Sequence, residues 1–82
     1  MIRSYILIEV DAGRERAVIE EVKKLKLAEA EIESVDAVTG PFDVIVIINA
    51  PTIDQIARGV TRGIQSVKGV QRTTTCLVAE LA

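Results

Sequence analysis

Five β-branched residues in a row, Val44-Ile45-Val46-Ile47-Ile48, constrain this chain more than any other stretch. Side chains branched at Cβ are stiff at χ1 and pack well on a pleated surface. A run without a polar position has no face to offer to water, so it predicts a central strand. Gly40-Pro41, just before it, predicts a turn. Proline presets φ at the second turn position, and glycine supplies the dihedral freedom that a reversal needs. Asp43 then stands as a single carboxylate at the mouth of an apolar strand. It either finishes the turn or, beside exposed turn amides, holds one end of a zwitterion.

The rest of the chain alternates between two periodicities. Ile2, Ser4, Ile6, Ile8 and Val10 share one face of a first strand, with Arg3, Tyr5, Leu7 and Glu9 on the other. Asp11-Ala12-Gly13 breaks it, and a helix is predicted from about Arg14 to Leu27, burying Val18, Val22 and Leu25. Residues 29–39 read as a weaker strand that begins with Glu29, Glu31 and Glu33 on one side. Charge of that kind discourages strand addition at an exposed edge. A calcium or magnesium site would instead need a loop that converges oxygens from several directions.

After the run at 44–48, Thr52 and Gln55 have the spacing of a capping box. The second helix is predicted to run to Lys68-Gly69, with Ile53, Ile56, Val60, Ile64 and Val67 on its buried face. Gly59 and Gly63 inside it, each costing about 1 kcal/mol relative to alanine, predict a tight helix-to-sheet or helix-to-helix contact in preference to the close approach of a ligand. Val70 to Leu81 is the last strand. Thr73, Thr75 and Leu77 share one side of it, and Thr74, Cys76 and Val78 the other.

The predicted order β-α-β-β-α-β gives an α+β, ferredoxin-like fold: a four-stranded antiparallel sheet with both helices on one face. With 82 residues the chain makes one domain, residues 1–82, and the first and third strands belong in the middle of its sheet. Two helices cover one face only. Tyr5, Leu7, Ile45, Ile47 and Leu77 are expected on the open face, which predicts an interface and therefore a homo-oligomer.

Composition removes several functions. A formal charge of −2 without a basic tract gives no support for direct nucleic-acid or anionic-membrane binding. No apolar run approaches the ~20 residues of a membrane span. The first residues lack the pattern of a secretory signal, and Cys76 has no partner in the chain, which fits a cytoplasmic location. With no histidine in the chain, Cys76 has no imidazole base and the fold little means of proton transfer. No catalytic residue, metal ligand or cofactor site is expected.

Three segments then carry a resemblance: Val35 through Ile47 with its Thr39-Gly40-Pro41-Phe42-Asp43 loop, Val67-Lys68-Gly69-Val70, and Thr73-Thr74-Thr75. Together they resemble the effector-binding (RAM) domain of the Lrp/AsnC family of transcription regulators. The family pattern is a Thr-Gly-x-aromatic-Asp loop, a helix ending in a Gly-Val step and a threonine-bearing last strand. The family's N-terminal helix-turn-helix has no counterpart before Ile2, so the chain is similar to the stand-alone members. The resemblance implies face-to-face dimers, rings of dimers, and a free amino acid bound as effector. Its site residues would be Thr39, Gly40, Phe42, Asp43, Thr73 and Thr75. Asp43 would take the ammonium, and the loop amides and threonine hydroxyls the carboxylate, with Arg72 within reach of Asp43 in the fold. The alternatives are an accessory subunit that co-assembles with a full-length Lrp/AsnC-type regulator, and a small dimeric enzyme on the same fold.

Overall fold

The computed structural model describes residues 1–81. Its elements are β1 (Ile2–Val10), α1 (Glu15–Lys24), β2 (Glu31–Ala37), β3 (Val44–Ala50), α2 (Ile53–Arg62), a 3₁₀ turn (Ile64–Ser66) and β4 (Val70–Leu77). The four strands form one antiparallel sheet in the order β2-β3-β1-β4, which is the ferredoxin-like arrangement. The two most apolar strands lie in the middle, as their sequences require.

Alternation decides the layers. Ile6, Ile8, Val44, Val46 and Ile48 are fully buried beneath the helices, together with Val18 and Val22 of α1 and Ile56 and Ile64 of the second helical segment. Each such aliphatic side chain contributes roughly 1.5–3 kcal/mol by leaving water. Ser4 is the one buried polar residue of the described chain, and its hydroxyl donates to the Ile48 carbonyl at 3.1 Å. That bond settles the polar group inside an otherwise aliphatic core.

The capping box opens α2 as its spacing predicts. The Gln55 amide donates to Thr52 Oγ1 at 3.2 Å, and the Thr52 amide donates back to Gln55 Oε1 at 3.1 Å. Other expectations are corrected. Helix α1 stops at Lys24, because Leu25 is already extended at ψ 138°. The helix beginning at Ile53 is not continuous to Lys68: it ends at Arg62, and Gly63 turns the chain into the 3₁₀ segment. Ile53 is not buried but 54% exposed, since it occupies the first helical position, clear of the sheet.

The cause of the break lies in the Leu25–Ala30 connection, which folds back across α2. A Cβ on Gly59 would sit 3.2 Å from Leu27 Cδ1. One on Gly63 would sit 2.6 Å from both Leu27 Cδ2 and the Gly59 carbonyl oxygen. The two glycines thus make room for one leucine of a loop, not for a strand or another helix.

Strand β2 is an edge, in keeping with its glutamates, but it does not keep period two. Ile32 pairs with Ile48 and Ser34 already with Ile47, so Glu33 is an extra, bulged residue. Its carboxylate accepts from Arg3 Nη2 at 2.9 Å and from Asn49 Nδ2 at 3.0 Å. The bulge lets both Ile32 and Val35 lie opposite buried β3 residues. Along the other edge, β4 ends at Leu77 rather than Leu81.

Candidate functional site

Residues 38–43 connect the edge strand β2 to the central strand β3. Two main-chain bonds fix the loop. The Val38 amide donates to the Asp43 carbonyl at 3.0 Å, and the Asp43 amide donates to the Ile8 carbonyl at 2.9 Å. A third bond involves the side chain: the Val10 amide donates to Asp43 Oδ2 at 2.8 Å. Asp43 therefore ties the loop to the end of β1 through both its main chain and its carboxylate. This bond continues the sheet pairing beyond the last β1–β3 pair, Ile8 with Val44.

The tip of the loop has another character. Gly40 sits at φ 129°, a left-handed value that glycine accepts without a Cβ penalty, and nothing lies near its missing side chain. Pro41 has no N–H. Among the described residues, the amides of Thr39, Gly40 and Phe42 engage no acceptor. Phe42 and Asp43 are half-buried, while Thr39, Gly40 and Pro41 are exposed. Four predicted site residues, Thr39, Gly40, Phe42 and Asp43, thus share one loop that offers free amide donors beside a carboxylate with Oδ1 still open.

Thr73 and Thr75 are not brought to that loop within the chain. Thr73 pairs with Ile8 on the side away from Val44, and Thr75 pairs with Ile6. The whole width of β1, two interstrand spacings or roughly 10 Å, separates Thr73 from the start of β3. Directly paired residues point to the same face. Thr73 and Thr75 therefore lie on the helix side, and the Thr73 hydroxyl accepts from Gln65 Nε2 at 2.8 Å. Leu77, opposite Ser4, is on that side too, although 43% exposed, and does not belong to the open face. Arg72 lies 3.7 Å from Glu9 in an exposed ion pair, and it makes none with Asp43.

Two members of this neighbourhood escape sequence reasoning. The Val10 amide and Gln65 enter through strand register and a helical break, and neither carries a residue pattern that marks it in advance.

A family model described as the Lrp/AsnC ligand binding domain matches residues 3–81. The chain belongs to that family. Among solved structures, TTHA0845 from Thermus thermophilus is 30% identical, with a TM-score of 0.87 over 100% of this chain and 98% of that one. Escherichia coli AsnC is 18% identical, with a TM-score of 0.84 over 96% of this chain and 51% of its own. The transcriptional regulator NMB0573 of Neisseria meningitidis, solved as a complex with L-Met, is 20% identical, with a TM-score of 0.79 over 98% and 51%. The Lrp/AsnC domain described here therefore spans about half of each of those two regulators, and at their identities the likeness is one of fold. No curated protein matches the chain. No helix among the described residues is long and apolar enough to cross a membrane.

Proposed function

We propose that this Lrp/AsnC domain is a non-enzymatic sensor that binds a free α-amino acid at the 39–43 loop and works as a homo-oligomer. The observation that carries the reading is the pairing, in one loop, of unengaged amides at Thr39, Gly40 and Phe42 with the carboxylate of Asp43. A zwitterion needs both kinds of group, since burying either end unpaired opposes binding. Asp43 Oδ1 receives the ammonium while Oδ2 keeps the Val10 amide. The loop amides receive the carboxylate. The complex of NMB0573 with L-Met supports this ligand class by family membership.

Thr73 and Thr75 join the site only from a second copy, because β1 stands between them and the loop of their own chain. A dimer formed through the open face leaves the helix side outward, so the copy that brings Thr73 and Thr75 belongs to a neighbouring dimer, as in a ring of dimers. The open face carries Tyr5, Leu7, Ile45 and Ile47 at its centre, with charged residues at both ends (Arg3 with Glu33, Glu9 with Arg72). An apolar centre with a polar rim is the anatomy of a protein interface.

Thermal melting against the common amino acids tests the reading. A ligand at a hundredfold excess over Kd stabilises the folded form by about 2.7 kcal/mol, a shift of several degrees. Asp43→Asn removes the charge but leaves an oxygen for the Val10 amide. Loss of a charged hydrogen bond worth roughly 1.5–3 kcal/mol lowers affinity about ten- to a hundredfold. A screen at millimolar concentration without any shift, or an Asp43→Asn protein that binds like the parent, leaves the accessory-subunit reading in its place.

A further inference from the structure

A second cleft lies on the other side of the molecule, away from the loop. It has a volume of about 240 Å³ and runs between the Leu25–Ala30 connection and α2. Its floor is apolar: Leu25 and Leu27, with Leu27 packed onto the backbone at Gly59 and Gly63. Its rim is cationic, with Lys26 from the connection and Arg58 and Arg62 from α2. The one carboxylate there, Glu29, accepts from Gln55 Nε2. The ion pairs of the described chain are Arg3 with Glu33, Lys24 with Glu21 and Arg72 with Glu9, so the three cations of the rim have no acidic partner.

The chain has ten Lys and Arg residues, and three of them stand at this one opening. Arg62 has a reason of its own to be there, since a cation in the last turn of a helix complements the helix dipole. Arg58 stands one turn earlier, where the like charge of Arg62 four residues on is unfavourable, and Asp54, four residues before it, makes no ion pair with it. Lys26 comes from a separate segment and adds a third charge at the same opening. The glycines are fully explained by Leu27, so they make no case for a ligand. The charges do.

We propose that this cleft binds a small organic anion with a short apolar body. Inorganic phosphate would satisfy the arginines but leave the floor of Leu25 and Leu27 wet. A neutral apolar molecule would cover the floor and leave the cations unpaired. A carboxylate on a branched or aromatic body satisfies both, and arginine's planar fork suits a carboxylate. The site is independent of the 39–43 loop, and the proposal stands or falls without it.

Titration of the isotope-labelled protein with isovalerate, phenylacetate, acetate and inorganic phosphate, followed by amide NMR, tests it. Isovalerate and phenylacetate are expected to give saturable shifts at Gly59 and Gly63, with Kd roughly in the millimolar range. Both should bind about tenfold or more tighter than acetate, since each buried methylene contributes about fourfold. The double variant Arg58→Gln/Arg62→Gln, in which only exposed side chains change, should weaken binding at least tenfold. Glu29→Gln should tighten it by removing the one negative charge of the rim. Absence of saturation at Gly59 and Gly63, equal binding of phosphate and isovalerate, or unaltered binding in the double variant would overturn the proposal.

Discussion

The two carboxylate oxygens of Asp43 are placed differently: one has a partner in the chain and one has none among the described residues. Oδ2 accepts from the Val10 amide at 2.8 Å, which holds the mouth of the 38–43 loop against the end of β1. Oδ1 faces no partner among the described residues and is the oxygen proposed above to receive the ammonium. Substitutions separate the bond to Val10 from the charge of the carboxylate. Asp43→Ala leaves the amide of the buried Val10 without its acceptor and is expected to cost about 1–3 kcal/mol, read as a lower midpoint in urea. Asp43→Asn retains an acceptor in the same place and should lose less than half of that. Equal stability of the two variants would show that the bond to Val10 contributes little. Both the residue and its turn are legible in sequence, because Gly40-Pro41 and the lone carboxylate before an apolar run are local signals. The bond to Val10 is not legible, because strand pairing brings a residue 33 positions away to the loop.

At the scale of elements, the packing of one loop on one helix decides where α2 ends. Gly63→Ala puts a methyl 2.6 Å from the Gly59 carbonyl, a backbone atom that cannot move aside, and should cost roughly 1–3 kcal/mol. Gly59→Ala meets only the far end of Leu27 at 3.2 Å and gains helix propensity worth about 1 kcal/mol, so it should be near neutral. Chemical denaturation of the pair checks the difference, and a reversed order would reassign the break. The same contact shows why sequence spacing predicts a continuous helix there. Ile56, Val60, Ile64 and Val67 follow helical spacing straight through Gly63, and nothing local announces a leucine from another segment. Strands are legible in proportion to their polarity contrast. β1 and β3 alternate or run apolar, so their faces are plain. In β4, Thr73, Thr75 and Leu77 differ little in polarity from Thr74 and Cys76, so only register with β1 says which set faces the helices. One extra residue, Glu33, likewise defeats a period-two count.

For the whole molecule, the open face is the proposed seat of assembly. Ile45 and Ile47 alternate with the core residues Val44, Val46 and Ile48, so they point away from the helices. Ile45→Asp or Ile47→Asp is expected to leave the helix-side core intact and to abolish self-association, because a carboxylate would be buried without a partner in the interface. Light scattering at micromolar concentration should show the parent as a dimer or larger and the variants as a species of 8.9 kDa. A parent that scatters as a monomer would dismiss the interface. The strand order also carries a consequence for synthesis. β1, the first strand made, lies between β3 and β4, the last strand made. A nascent chain can therefore hold β1, β2 and β3 while one flank of β1 stays bare until residue 77 has left the ribosome. At about 5–20 residues per second, the 27 residues from Ala50 to Leu77 keep that edge open for a second or more. During that interval on a crowded polysome, the apolar strand is a target for the emerging strands of neighbouring chains.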